Sequence, residues 1–323
     1  MARIRNPLAL LCGLAFTLAA CGEVPPPTGP TAGSAYAKVP AGGGVAMLAA
    51  MNDGLASRGR PVRVGKAELL IANSGGLAQG QEIFANDRTH VLPYRWVPGD
   101  ARRGALGSAL TYIVDQSDGV ATAVGGTLSN AQTEAAIDRA MHTWDVGTQC
   151  SALPLVKVSD DGSDFDLTDA LLGFGGFDGP RADIVNAGWM PAAFFDVVAP
   201  SGSSFILGVT FTFYFVEQDG VTPTDINRDR RIDTAFKETY YNNSLPWKID
   251  TGSGIDVESV ALHENGHGLE LAHIGKIFAT LANGELHFAP RAVMNAAYSG
   301  VQQVPTGLDL AGHCANFGKW PNQ

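Results

Sequence analysis

Three of the chain's seven histidines fall within eleven residues, His263-Glu264-Asn265-Gly266-His267-Gly268-Leu269-Glu270-Leu271-Ala272-His273. If residues 257–268 are helical, four residues turn the helix by about 400°, so His263 and His267 leave one face a turn apart and can share a metal. Glu264 stands beside them, placed to take a proton from a metal-activated water, whose pKa zinc brings to about 7. His273 can be a third ligand only if the chain turns back near residue 270, because a continued helix would carry it about 15 Å along the axis. Three ligands with one open position is the pattern of a catalytic zinc site, whereas structural sites are closed by four. Three helix-surface histidines without a metal is the plain alternative, and the third histidine argues against it.

Several elements must position these residues. Ile255 and Val260 suit a hydrophobic staple around an Asp256 cap, and Val257, Val260 and Ala261 give the metal helix a buried face. Gly266 and Gly268 cost about 1 kcal/mol each against alanine in a helix, which requires either close packing or substrate access there. Upstream, Ala109–Val114 reads as a strand. Ser129 and Gln132 then form a capping box before a helix whose Ile137, Ala140, Met141 and Trp144 make a core stripe. Residues 154–158, 182–187, 205–215 and 234–242 read as four more strands. Downstream come Met294 in the run Arg291–Tyr298 and a final helix, Thr306–Phe317, with Thr306 and Asp309 as cap partners and Gly318 as a stop.

The histidine string followed by a methionine resembles the metzincin metallopeptidases, and the order strand, helix, four strands, metal helix resembles their matrixin branch over roughly the last 215 residues. That resemblance implies an α+β, zincin-like catalytic domain with a five-stranded mixed sheet, an antiparallel edge strand at the cleft and three main helices. It implies a zinc endopeptidase acting on proteins or peptides, with His263, His267 and His273 on the metal and Glu264 as general base. Met294 would be an apolar floor beneath the metal, and the loop from Met294 to Thr306 a wall of the specificity pocket. Substrate backbone would pair with the edge at Gly208, Val209, Thr210, Phe211 and Thr212. The chain departs from the family at Glu270, where a glycine is usual, and a non-glycine residue at positive φ costs about 1 kcal/mol or more. Tyr298 lies four residues after the methionine rather than two, so it is not assigned to the metal.

Residues 1–20 have a basic start, Arg3 and Arg5, and an apolar run too short for a permanent span, which reads as an export signal. Leu18-Ala19-Ala20-Cys21 resembles a bacterial lipobox and implies a lipid on Cys21. The mature chain would then sit at a membrane surface of the bacterial cell envelope, held by that anchor. Residues 21–60 are rich in Pro, Gly, Ala and Ser and read as a flexible tether. Residues 61–104 carry no motif and are open between a propeptide, a small subdomain and a strand packed on the enzyme, before a catalytic domain over 105–323. The formal charge is −10, and loss of Arg3 and Arg5 makes it more negative, which argues against nucleic acid as a partner. Cys150 and Cys314 are the remaining pair and a disulfide candidate in an exported protein, with two separate buried thiols as the alternative.

Asp225, Asn227, Asp229 and Asp233 partly follow a calcium loop, although Arg230 replaces its turn glycine and Phe236 its last carboxylate. Calcium and a connection neutralised by its own arginines are both open there. His90, His142, His287 and His313 have no partner spacing and read as structural. Two other functions compete with the peptidase: a metal-stabilised binding lipoprotein without turnover, and a calcium-stabilised surface adhesin.

Overall fold

Ten consecutive buried residues, Ile206–Phe215, run through the interior of an eight-stranded mixed sheet. The computed structural model describes residues 43–72, 82–103, 107–147, 150–177, 179–279 and 286–322. The export signal, Cys21 and the tether up to residue 42 lie outside them. The described residues belong to one compact unit.

Helix α1 (Gly44–Ser57) comes first, followed by strands β1 (Val62–Ile71) and β2 (Glu82–Phe84). Next are β3 (Leu110–Val114), helix α2 (Asn130–Gly147), β4 (Leu155–Lys157), the short helix α3 (Leu167–Leu172) and β5 (Ile184–Met190). Helix α4 (Ala192–Val198) then leads to β6 (Ile206–Phe215), β7 (Ile232–Asn242), α5 (Val257–Gly268), the hairpin β8 (Lys276–Ala279) and β9 (Leu286–Ala289), and α6 (Gly307–Phe317). Across the sheet the strands run β2-β1-β6-β7-β5-β3-β4, with the two-residue strand Tyr94–Arg95 beside β7. β6 is antiparallel to both of its neighbours, whereas β7, β5, β3 and β4 are mutually parallel. The fold is therefore α+β, and the five expected strands form a contiguous block.

Alternation sorts the side chains to two cores. Val209, Phe211, Phe213 and Phe215 of β6 join Met47, Leu48, Met51 and Leu55 of α1 on one face. On the other face α2 and α5 pack together, the expected stripe Ile137, Ala140, Met141 and Trp144 meeting Val257, Val260 and Ala261. The Trp144 indole donates to the Leu262 carbonyl at 2.8 Å, satisfying a polar atom that burial would otherwise leave unpaired.

Two expectations change. Residues 44–57 are helical with one buried face, so the tether cannot extend to residue 60. Of the readings open for residues 61–104, that of a packed strand describes β1. It pairs with β6 along its length, Leu70 opposite Gly208, Leu69 opposite Val209, Glu68 opposite Thr210, Ala67 opposite Phe211 and Lys66 opposite Thr212. Gly208–Thr212 are thus interior to the sheet, and the free edge expected there is already hydrogen-bonded. Cys150 and Cys314 form a disulfide with Cα atoms 5.7 Å apart, joining the segment after α2 to α6.

Candidate metal centre

Helix α5 spans the expected residues. Its Asp256 cap accepts from the Ser259 amide at 2.9 Å. Leu271 N–H returns to the Gly266 carbonyl at 3.0 Å, which closes the helix by a left-handed turn. The residue in that turn is Glu270, at φ 61°. The chain does turn back at residue 270, and it does so without a glycine. The Glu270 carboxylate is held by Lys237 Nζ at 2.9 Å and by the Thr234 hydroxyl, while Lys237 also donates to the His267 carbonyl at 2.6 Å. A buried cation at the helix C-terminus therefore offsets the strain of the turn.

The turn brings the three histidines together. His267 Nε2 lies 3.0 Å from His263 Nε2 and 3.2 Å from His273 Nε2. The outer nitrogens of two of them are engaged elsewhere: His263 Nδ1 with the Val293 carbonyl at 2.7 Å, and His267 Nδ1 with the Leu271 carbonyl at 2.7 Å. Carbonyls only accept, so both rings carry hydrogen on Nδ1 and turn an Nε2 lone pair inward. His273 Nδ1 is 3.4 Å from Glu82. Burial lowers the pKa of His263 to about 3 and that of His267 well below the usual range, the neighbouring histidines adding to the effect. Neutral imidazoles whose lone pairs converge at 3.0–3.2 Å repel one another unless a cation lies among them. Tetrahedral zinc with nitrogen at 2.0–2.1 Å would space its ligands by roughly 3.3 Å. The donor set, and the tautomers and far-nitrogen partners of His263 and His267, fit such a metal.

Glu264 is fully buried. Its Oε2 accepts from Thr210 Oγ1 at 2.6 Å, while Oε1 has no hydrogen-bond partner among the described residues. Burial raises its pKa to about 8, against the Thr210 hydrogen bond, which favours the ionised form. Gly208 is a glycine for a reason visible here, since a Cβ would lie 2.7 Å from Glu264 Oε1.

The methionine turn meets α5 at two points. The Val293 carbonyl orients His263, and the Met294 thioether abuts Gly266, where a Cβ would collide with it. A Cβ on Gly268 would press on Ile184 at 3.1 Å. Close packing, not substrate access, accounts for both helix glycines. Asp309 of α6 accepts from the amides of Val293 and Met294, each at 3.0 Å, and from Thr306 at 2.7 Å. The capping residue expected from sequence also fixes the turn. Tyr298 accepts from the Asp256 amide at 3.1 Å.

Strand β1 closes the site, and no motif in the sequence announces it. Its Lys66, Glu68 and Leu70 point to the metal side. Glu68 lies 2.7 Å from Lys66 Nζ and 3.3 Å from His267 Nδ1. Leu70 sits with His263, Val293, Tyr298, Gly300 and Gln302 in the pocket walled by the loop after Met294. The end of the strand is gripped from that loop as well, Ile71 N–H donating to the Ala296 carbonyl at 3.1 Å and Tyr298 N–H to the Ile71 carbonyl at 2.8 Å. Glu68, Glu82, Lys66 and Lys237 are the residues that spacing could not reveal, because each reaches the site from a distant strand.

Asp225, Asp229 and Asp233 do not converge as a ligand group. Asp225 accepts from the Asp229 and Arg230 amides, and Asn227 from the Asp229 amide. Asp229 pairs with Arg95 at 3.5 Å, and Asp233 with Arg102 at 2.7 Å. Arg230 takes φ 67°, so the tight turn forms without the glycine. The loop is neutralised, but by arginines outside it. No helix among the described residues is long and apolar enough to cross a membrane. The sequence matches no protein-family model and no curated protein.

Proposed function

We propose that the chain is a zinc-dependent endopeptidase of the metzincin type, exported and lipid-anchored at Cys21. The observation that carries this reading is the convergence of three imidazole nitrogens, with a buried carboxylate from the adjacent position of the same helix. His263, His267 and His273 would hold zinc, which would supply Lewis-acid polarisation of the scissile carbonyl and acidify water. Glu264 is the group to take the attacking water's proton and return it to the leaving amine, and Thr210 fixes the orientation of its carboxylate. The small pocket beyond His263 has Leu70 of β1 as one wall and Val293, Tyr298 and Gly300 opposite it. Because β1 lies antiparallel to β6 and is gripped by Ala296 and Tyr298, a peptide substrate would have to take its place.

That filled cleft favours the second reading, a metal-stabilised binding protein without turnover. A structural site has no evident need of Glu264, and on that ground the peptidase is preferred. The test uses the full chain, with bound metal quantified and an unfolded protein offered as substrate. One zinc per chain, with cleavage that falls at least about a hundredfold in Glu264→Gln and is lost on chelation, supports the peptidase. Zinc with no cleavage, in the parent and also in a Leu70→Ala variant that widens the pocket and loosens β1, would leave the binding protein. A purified chain without zinc would overturn both.

A further inference from the structure

Asp118 follows β3, while Asp164, Asp166 and Asp169 lie in the connection from β4 to β5 at the start of α3. One carboxylate oxygen from each of Asp118, Asp164 and Asp169 comes within 4.8 Å of the others. Acidic residues gather on many surfaces without purpose, but this group runs from half-buried Asp118 and Asp164 into the interior. Asp166 and Asp169 are both 0% exposed. Neither oxygen of Asp166 has a hydrogen-bond partner, and neither do Asp118 Oδ2, Asp164 Oδ1 and Asp169 Oδ2, among the described residues. The Asp166 carboxyl lies within electrostatic reach of Asp118 and Asp169. Behind them lies Glu238 of β7, already occupied by the Leu167 and Thr168 amides at 2.7 and 2.8 Å.

No lysine or arginine among the described residues pairs with any of the four aspartates; the nearby Arg181 pairs with Asp161 and Arg103 with Asp183. Removing ionised carboxylates from water without a partner costs several kcal/mol each, which cavities lined this way avoid by protonation or by holding a cation. The backbone is shaped around the oxygens. Gly176, at φ 74°, donates to Asp164 Oδ2 at 2.9 Å, and any Cβ there would strike the Asp169 carboxylate. A Cβ on Gly175 would stand 3.2 Å from Asp164 Oδ2 and 3.3 Å from Asp169 Oδ2, and one on Gly188 would meet Asp118 at 2.7 Å.

We propose that Asp118, Asp164 and Asp169, backed by Asp166, form a binding site for a hard divalent cation of the calcium class, separate from the histidine centre. The ligands are all oxygen and carry several negative charges, which suits calcium better than zinc or the strictly octahedral magnesium. The cation would tie the loop after β3 to the β4–β5 connection, fixing α3 beneath the first core. Nothing in this inference depends on peptidase activity.

The experiment is calcium titration of the full chain by calorimetry, with thermal and denaturant unfolding in calcium, magnesium and chelator, on the parent and on Asp118→Asn/Asp169→Asn. The expected result is one calcium per chain in the parent and at least a tenfold shift of the unfolding equilibrium toward the native state in millimolar calcium. Magnesium should do markedly less. The variant should lose the response, yet be no less stable than the parent in chelator, since neutral amides relieve the buried repulsion. Should the double variant not fold, Asp164→Asn, at a half-buried position, should weaken calcium at least tenfold. An unresponsive parent overturns the proposal, as does a variant that keeps the parent's calcium affinity.

Discussion

Glu270 shows how a single side chain can replace the freedom of a glycine. Its φ of 61° costs about 1 kcal/mol, but Lys237 and Thr234 hold its carboxylate in the interior. Breaking a buried pair from one side costs about 3–5 kcal/mol, more than the strain, so the pair rather than the backbone decides the outcome. Lys237→Met should therefore destabilise the protein by that amount in denaturant unfolding. Lys237→Met combined with Glu270→Gly should recover most of the loss, because no uncompensated charge remains and the turn is relaxed. If the double variant were as unstable as the single, the compensation argued here would be wrong. Gly266 poses the opposite balance. Alanine would gain about 1 kcal/mol of helix propensity, yet its Cβ would collide with the Met294 thioether, and such overpacking costs about 1–3 kcal/mol. Gly266→Ala should be destabilising by up to about 2 kcal/mol, with weaker metal binding measured by competition with a chelator, because the segment of Met294 also carries the carbonyl that orients His263.

Among the elements, those with a local pattern were legible in the sequence and β1 was not. The metal helix has the expected limits, the Ser129–Gln132 capping box is made, and β6 and β7 fall within two residues of their expected starts. Their periodicity and caps are decided by near neighbours in the chain. The course of β1 is decided by pairing with β6, more than a hundred residues away, and its alternation is obscured by Lys66 and Glu68, polar residues that are buried because they face the histidines. The same long reach hid the aspartate cluster, whose members come from two connections. Leu70→Ala tests the part played by β1. Removing a buried leucine costs about 2–4 kcal/mol. If the strand competes with substrate, cleavage of an unfolded protein should nevertheless rise several-fold relative to the parent. A rate that falls with stability would make β1 a supporting strand and not a competitor.

At the scale of the molecule, stability depends on ties between regions far apart in the chain. The Cys150–Cys314 disulfide spans 164 residues, for which the chain-entropy model gives about 5 kcal/mol. Cys150→Ala/Cys314→Ala should therefore lower the denaturant midpoint with little change in metal stoichiometry. Next to that bond, His313 is 1% exposed, its ring stacked on Trp144 and against Phe317, with neither nitrogen hydrogen-bonded among the described residues. Burial alone lowers its pKa from 6.5 to about 4. Between those values the unfolded chain binds the proton and the native protein does not, so acid favours unfolding. The contribution is complete above pH 6.5 and is lost as pH falls toward 4, by an amount on the order of 2–3 kcal/mol. His313→Phe keeps the aromatic packing and removes the titration. Its unfolding free energy should fall less than the parent's between pH 7 and pH 4.5, measured with the disulfide intact, and equal losses in the two proteins would show that His313 is not among the groups that set the acid limit.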